Sequence, residues 1–143
     1  HVLSYQNTNE EVGRYFANIK AHLKSTGIFI FDYWYGPAVL NLRPESRIKE
    51  MHDDHYKITR FASTNMDYNK NLANVHYKML CENRDGKIMH LTETHPMRYF
   101  FLPEIKMFLD SSLFSVIHQS EWLSLNKAPG ENSWAIFNVV KSR

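Results

Sequence analysis

The sequence predicts an α/β fold with an inserted antiparallel meander, on three observations. Ile28 to Tyr35 is a run of β-branched and aromatic residues broken only by Asp32, the composition of a strand buried on both faces. From Tyr56 to Tyr99 the apolar pattern changes to a period of two, the mark of half-buried strands. Amphipathic helical patterns flank both regions.

The elements follow in order. Thr8 to Glu11 has the Thr-x-x-Glu form of a capping box, in which each side chain satisfies a free backbone N–H at a helix start. Val12, Phe16, Ile19 and Leu23 then form one apolar stripe, so a helix runs to about Lys24, ahead of Gly27. The strand Ile28–Tyr35 ends at Gly36-Pro37, and a looser helical pattern (Val39, Leu40, Ile48), interrupted by Pro44, occupies Pro37 to Met51. Three strands over 56–66, 72–83 and 87–99 make the meander, which spans about 55–100; the Asp85-Gly86 pair marks its second turn. Pro103 opens a short helix with Ile105, Met107, Phe108, Leu109 and Leu113 on its apolar side. The strands Phe114 to Trp122 and Trp134 to Val140 close the chain, joined by a loop containing Pro129-Gly130.

Composition narrows the function classes. The 143 residues are 43% hydrophobic and 22% charged with a net charge of +2, which suits one folded unit and gives no sign of disorder. Like charges form no long run and the aromatics do not alternate with a basic stripe, which disfavours nucleic acid as a partner. The longest apolar stretch, Gly27 to Phe31, is far short of the roughly 20 residues that cross a bilayer, so no membrane partner is expected. The single cysteine, Cys81, cannot form an intramolecular disulfide, which points to a reducing, cytoplasmic setting. His52-Asp53-Asp54-His55 has metal-compatible residue types, but adjacent positions cannot converge on one ion, and a solvated turn is the better reading. His118 and Trp122 are assigned to packing.

The local wording resembles one family. His1-Val2-Leu3-Ser4-Tyr5-Gln6 is similar to the segment after the fourth sheet strand of class I S-adenosylmethionine-dependent methyltransferases, and Lys24 to Asp32 to their loop into strand five. Asp32-Tyr33-Trp34-Tyr35-Gly36-Pro37, with Thr94-His95-Pro96-Met97-Arg98-Tyr99 and Pro103-Glu104-Ile105, resembles the small-molecule branch akin to sugar N,N-dimethyltransferases. The resemblance implies that residues 1–143 are a single partial domain, the C-terminal half of a Rossmann-like methyltransferase sheet carrying the meander as an insertion. The complete fold usually runs to ~230–250 residues. Its cofactor rests on a glycine-rich turn and an acidic residue in the first half, and here Gly13, Gly27, Gly36, Gly86 and Gly130 are scattered with no Gly-x-Gly. Two turns depart from the family pattern: Ser25-Thr26 replaces Pro-Gly, and Leu113 stands where a glycine precedes strand six, a strained place for leucine.

The implied chemistry is methyl transfer from S-adenosylmethionine to N or O of a small molecule, in which an uncharged nucleophile is held about 3 Å from the methyl carbon. Ligands in open α/β sheets bind beyond the carboxyl ends of the strands, so the resemblance places His1, Leu3, Ser4 and Tyr5 at the cofactor and Tyr33, Trp34 and Tyr35 at the substrate. Aromatic faces attract a sulfonium by roughly 0.5–2 kcal/mol, although an aromatic run at a strand end is equally ordinary core. His95 is the candidate general base; the competing reading is a structural strand histidine. Arg98 could clamp an anionic group or form a salt bridge. Strand alternation sends His76 and Tyr77 to opposite faces, so only one of them lines a given pocket, and His76 is taken as the substrate contact. The alternative function is a non-catalytic α+β module that binds a ligand or a protein. An exposed sheet edge beside strand five also invites a homodimer.

Overall fold

The capping box sets the first helix. In the computed structural model, which describes all of residues 1–143, the Thr8 hydroxyl accepts the Glu11 N–H at 3.2 Å while the Glu11 carboxylate accepts the Thr8 N–H at 2.9 Å. Helix α1 (Asn9–His22) follows, burying Val12 and Phe16. A 3-10 helix, Val2–Tyr5, precedes it and buries Leu3 and Ser4.

Strand β1 (Ile28–Tyr35) leads through Gly36 into α2 (Gly36–Leu42). The turn is close: a Cβ on Gly36 would stand 2.6 Å from the Phe101 ring, so no larger residue fits without displacing it. The expected helical stretch over Pro37 to Met51 is corrected here. It stops at Leu42, because Pro44 has no N–H to continue it, and Arg47–His52 forms strand β2.

β2 pairs antiparallel with β3 (Tyr56–Asp67), β3 with β4 (Leu72–Asn83) and β4 with β5 (Ile88–Phe100). The meander therefore has four strands where three were expected. Gly86 turns between β4 and β5 at φ +76°, as the Asp-Gly pair predicts. β5 does two jobs: Ile88 to Arg98 pair with β4, and Tyr99 and Phe100 continue parallel to Trp34 and Tyr35 of β1. Helix α3 (Leu102–Ser111) and strands β6 (Phe114–Glu121) and β7 (Ala135–Ser142) complete a seven-stranded sheet of order β2-β3-β4-β5-β1-β7-β6.

Register decides what is buried. Phe29, Phe31 and Tyr33 share a face with Val140, Asn138 and Ile136 of β7, and that face packs against α1 and α3 through Phe16, Ile105 and Leu109. Phe16 lies edge-on to Phe31 at 5.5 Å. The opposite face carries Ile28, Ile30, Asp32 and Trp34, and Ile28 and Ile30 are 55% and 51% exposed. The expectation that this strand is covered on both sides is thus corrected: both helices long enough to cover a face, α1 and α3, pack on the same one. The β1 edge away from β7 is open as well, with strand partners only at Trp34 and Tyr35. No helix is long and apolar enough to cross a membrane.

Candidate functional site

Three elements meet at the carboxyl end of β1. The 3-10 helix docks there through Ser4, whose hydroxyl accepts the Trp34 N–H at 3.0 Å. The meander arrives through the parallel pairing of β5. The turn from α2 to β2 closes a third side, and the end of β1, the meander and this turn enclose a cavity of about 600 Å³, lined by Trp34, Arg43, Arg47, Arg60, Tyr77 and Trp134 among others. Trp34 and Trp134 stand edge to face at 5.4 Å.

Cross-strand register selects which meander side chains turn toward this cavity. Ala62 lies opposite Tyr77, Thr64 opposite Val75, Val75 opposite His95 and Tyr77 opposite Glu93, and opposed residues share a face. His95 and Glu93 therefore lie on the cavity face. The His95 ring packs edge-on to Tyr77 at 5.3 Å and to Tyr5 at 5.9 Å. Its Nδ1 is 2.9 Å from the Tyr5 hydroxyl and its Nε2 is 3.0 Å from a Glu93 carboxylate oxygen. The Arg60 guanidinium sits 4.9 Å from the centre of the Tyr77 ring, and its Nε is buried without a hydrogen-bond partner, so one donor at the cavity wall has no acceptor within the chain.

The structure brings together only some of the residues singled out from the sequence. Tyr5 and His95 come together, and Trp34 lines the cavity that the His95 face of the meander borders. His1 lies nearby, its Nδ1 paired with the Asp32 carboxylate and its ring edge-on to Trp122 at 5.9 Å. Leu3, Tyr33 and Tyr35 belong to the core under the sheet. Burial pushes the Tyr33 phenol well above its ordinary range. Ser4 is buried and committed to Trp34.

His76 is on the opposite face, bonded to Thr94 at 3.0 Å; the one-face-only argument selects Tyr77 in its place. Arg98 also leaves the site. It is 6% exposed, pairs with Glu104 at 2.5 Å, donates to Asn9 at 2.7 Å and lies over Phe100, so it ties the starts of α1 and α3 to β5. Sequence reasoning missed Glu93 and Arg60, and it weighed Tyr77 only as the alternative to His76. Period-two counting from His95 would have found Glu93, but the other two depend on the register between strands.

For the S-adenosylmethionine that the sequence resemblance implies, these residues offer few matching groups. The chain has no glycine turn for the methionine tail, and Leu3 and Ser4 are sealed in the interior. His1 and Tyr5 are exposed at the strand end and fit the rim of such a site.

No family model matches the sequence, and no curated protein matches it. Solved structures do match. An S-adenosylmethionine-dependent methyltransferase from Clostridium acetobutylicum superposes on 97% of the chain with a TM-score of 0.78 at 21% identity, over 54% of its own length. DesVI from Streptomyces venezuelae covers 99% with a TM-score of 0.75 at 15% identity, over 55% of its length. A sugar N-methyltransferase from a Streptoalloteichus species covers 99%, also at 0.75, with 13% identity and 53% of its length. The chain therefore has the α/β fold found in about half of these methyltransferases, and it spans about half their length.

Proposed function

We propose that this chain is the acceptor-binding half of an S-adenosylmethionine-dependent methyltransferase that acts on nitrogen or oxygen of a small molecule. The observation that carries the reading is the cavity beyond the carboxyl end of β1, lined by Trp34, Tyr77 and Arg60, with His95 packed edge-on to Tyr77, in a fold shared with methyltransferases over nearly the whole chain. Open α/β sheets place ligands at that end.

The cofactor supplies an electrophilic methyl group when bound. His1 and Tyr5 are this chain's contributions to its rim. The acceptor lies over Trp34 and Tyr77, which exclude water and orient it, and positioning alone supplies much of the acceleration in such displacements. Three guanidinium groups, of Arg43, Arg47 and Arg60, outnumber the one carboxylate of the lining, Glu45, which lies 3.9 Å from Arg47, and equip the cavity to hold an anionic portion of the acceptor. His95 takes the acceptor's proton. The open edge and open face of β1 receive the half that carries the glycine-rich loop, and a second copy of the chain is the competing occupant of that edge.

The test is transfer of labelled methyl groups from S-adenosylmethionine to a panel of small amines and hydroxyl compounds, by the protein extended to include a cofactor-binding half. Trp34→Ala is expected to raise KM for the acceptor at least tenfold while leaving cofactor affinity within about twofold. Equal loss of affinity for both ligands would move Trp34 out of the acceptor site. Ligand binding without any transfer would favour a non-catalytic module.

A further inference from the structure

His95 has no free nitrogen. Nε2 faces Glu93 at 3.0 Å and Nδ1 faces the Tyr5 hydroxyl at 2.9 Å. A carboxylate can only accept, so the neutral ring carries its proton on Nε2 and offers a lone pair at Nδ1. The Tyr5 hydroxyl therefore donates, and its own lone pairs remain open. Tyr5 is 47% exposed.

We propose that Glu93, His95 and Tyr5 form a proton relay in which the Tyr5 hydroxyl, and not the imidazole, meets the acceptor's proton. Tyr5 is then the catalytic residue, while His95 and Glu93 are positioning residues that act through it. The inference rests on the methyl-transfer reading above and changes which atom touches the acceptor.

The step balances with the methyl donor of that reading: the acceptor's N–H or O–H bond breaks as its heteroatom bonds to the methyl carbon, and the positive charge lost at the donor's sulfur reappears on the imidazole. The acceptor's N–H or O–H donates to a lone pair of the Tyr5 oxygen. As that proton moves onto the oxygen, the proton already on Tyr5 passes to Nδ1 of His95. One proton has gone from acceptor to imidazole, the imidazolium faces the Glu93 carboxylate, and Tyr5 is neutral before and after. A phenol is a poor base at neutral pH, but as a conduit it never has to ionise. Third groups that orient a base in this way recur in nucleophile activation.

The surroundings fit a relay held in place. The Tyr77 ring fixes the imidazole on one side, and Arg60 in turn lies over Tyr77. The register that sets Tyr77 opposite Glu93 and Val75 opposite His95 turns both relay side chains to the cavity face. Tyr5 enters from a separate element, 90 positions away in sequence, so folding assembles the triad.

Two readouts test the relay. Nitrogen-15 imidazole spectra of the protein at about pH 8, where histidines are neutral, should show His95 protonated at Nε2 and bare at Nδ1. Tyr5→Phe should shift the Nδ1 signal alone, and Glu93→Ala should mix the two tautomers. A wild-type ring protonated at Nδ1 overturns the proposal without any variant.

In the extended, catalytically competent protein, Tyr5→Phe and His95→Asn should each lower kcat by about a hundredfold with KM nearly unchanged. The double variant should lose no more than either single one, because the two act as a unit. Wild-type kcat in Tyr5→Phe alongside a loss in His95→Asn would make the imidazole the direct base and sink the relay. A protein that methylates nothing refutes the methyl-transfer reading instead, and the ring tautomer still decides whether the three side chains form one coupled unit.

Discussion

Tyr33 and Trp34 are neighbours on β1 with opposite fates. Tyr33 is fully buried in the core, while Trp34 lines the cavity. Alternation along a strand makes that split inevitable, but which of the two faces ligand depends on where the helices pack. The same limit explains Arg98 and His76, which stand in suggestive positions in sequence yet lie on the face away from His95. His95, singled out by residue type and motif, does lie on the cavity face, opposite Val75.

Arg98→Ala is expected to cost roughly 3 kcal/mol in denaturant unfolding, because it leaves the carboxylate of a largely buried pair uncompensated. A loss below about half of that would mean that Glu104 finds solvent easily. Alkali should act through the tyrosines. Burial, with a smaller contribution from the Asp32 carboxylate, pushes Tyr15 up to about 12, and burial also raises Tyr33. A raised folded-state value means that the fold favours the neutral phenol. That stabilisation is complete below the unfolded value of about 10 and is lost as pH rises through the folded one. The unfolding midpoint should therefore fall above about pH 10, and Tyr15→Phe should make the fall shallower up to about pH 12; identical slopes would contradict the assignment.

Among the elements, those with a local chemical signal were legible. The Thr8–Glu11 box starts α1 where its side chains dictate, and Asp85-Gly86 turns the meander with Gly86 in the left-handed region. Leu113 shows the reverse case. It adopts φ 57°, the conformation a glycine would take without strain, and its backbone carbonyl accepts from Lys20 at 3.0 Å and from the Arg143 N–H at 2.9 Å. The turn is kept despite the side chain.

Strand β2 was not legible, because its residues are nearly all exposed and half of them are charged. Only pairing with β3 makes it a strand. Thr8→Ala should cost about 1 kcal/mol through the lost cap, read as a shift in denaturation midpoint with an unchanged slope. Gly36→Ala should cost roughly 1–3 kcal/mol by overpacking against Phe101, and a neutral result would show that this ring moves aside freely.

At the scale of the whole molecule, half of the sheet is finished and half is open. The α1 and α3 side of β1 and β7 forms a dense aromatic and aliphatic core. The other side leaves Ile28 and Ile30 about half exposed beside an edge with few strand partners, an apolar surface of the kind that marks interaction sites. The chain spans 54% of the length of the Clostridium enzyme whose fold it shares. The single covered face could not be read from a strand that is apolar at almost every position.

The central claim, that these residues hold the acceptor and the rim of the site while the cofactor depends on another half, is tested most directly by calorimetric titration of S-adenosylhomocysteine. The titration is run into the 143 residues alone and into a form extended upstream by a glycine-rich half. The account predicts no saturable heat in the first case and one site in the second. Saturable binding by the 143 residues alone, or none by the extended form, would contradict it.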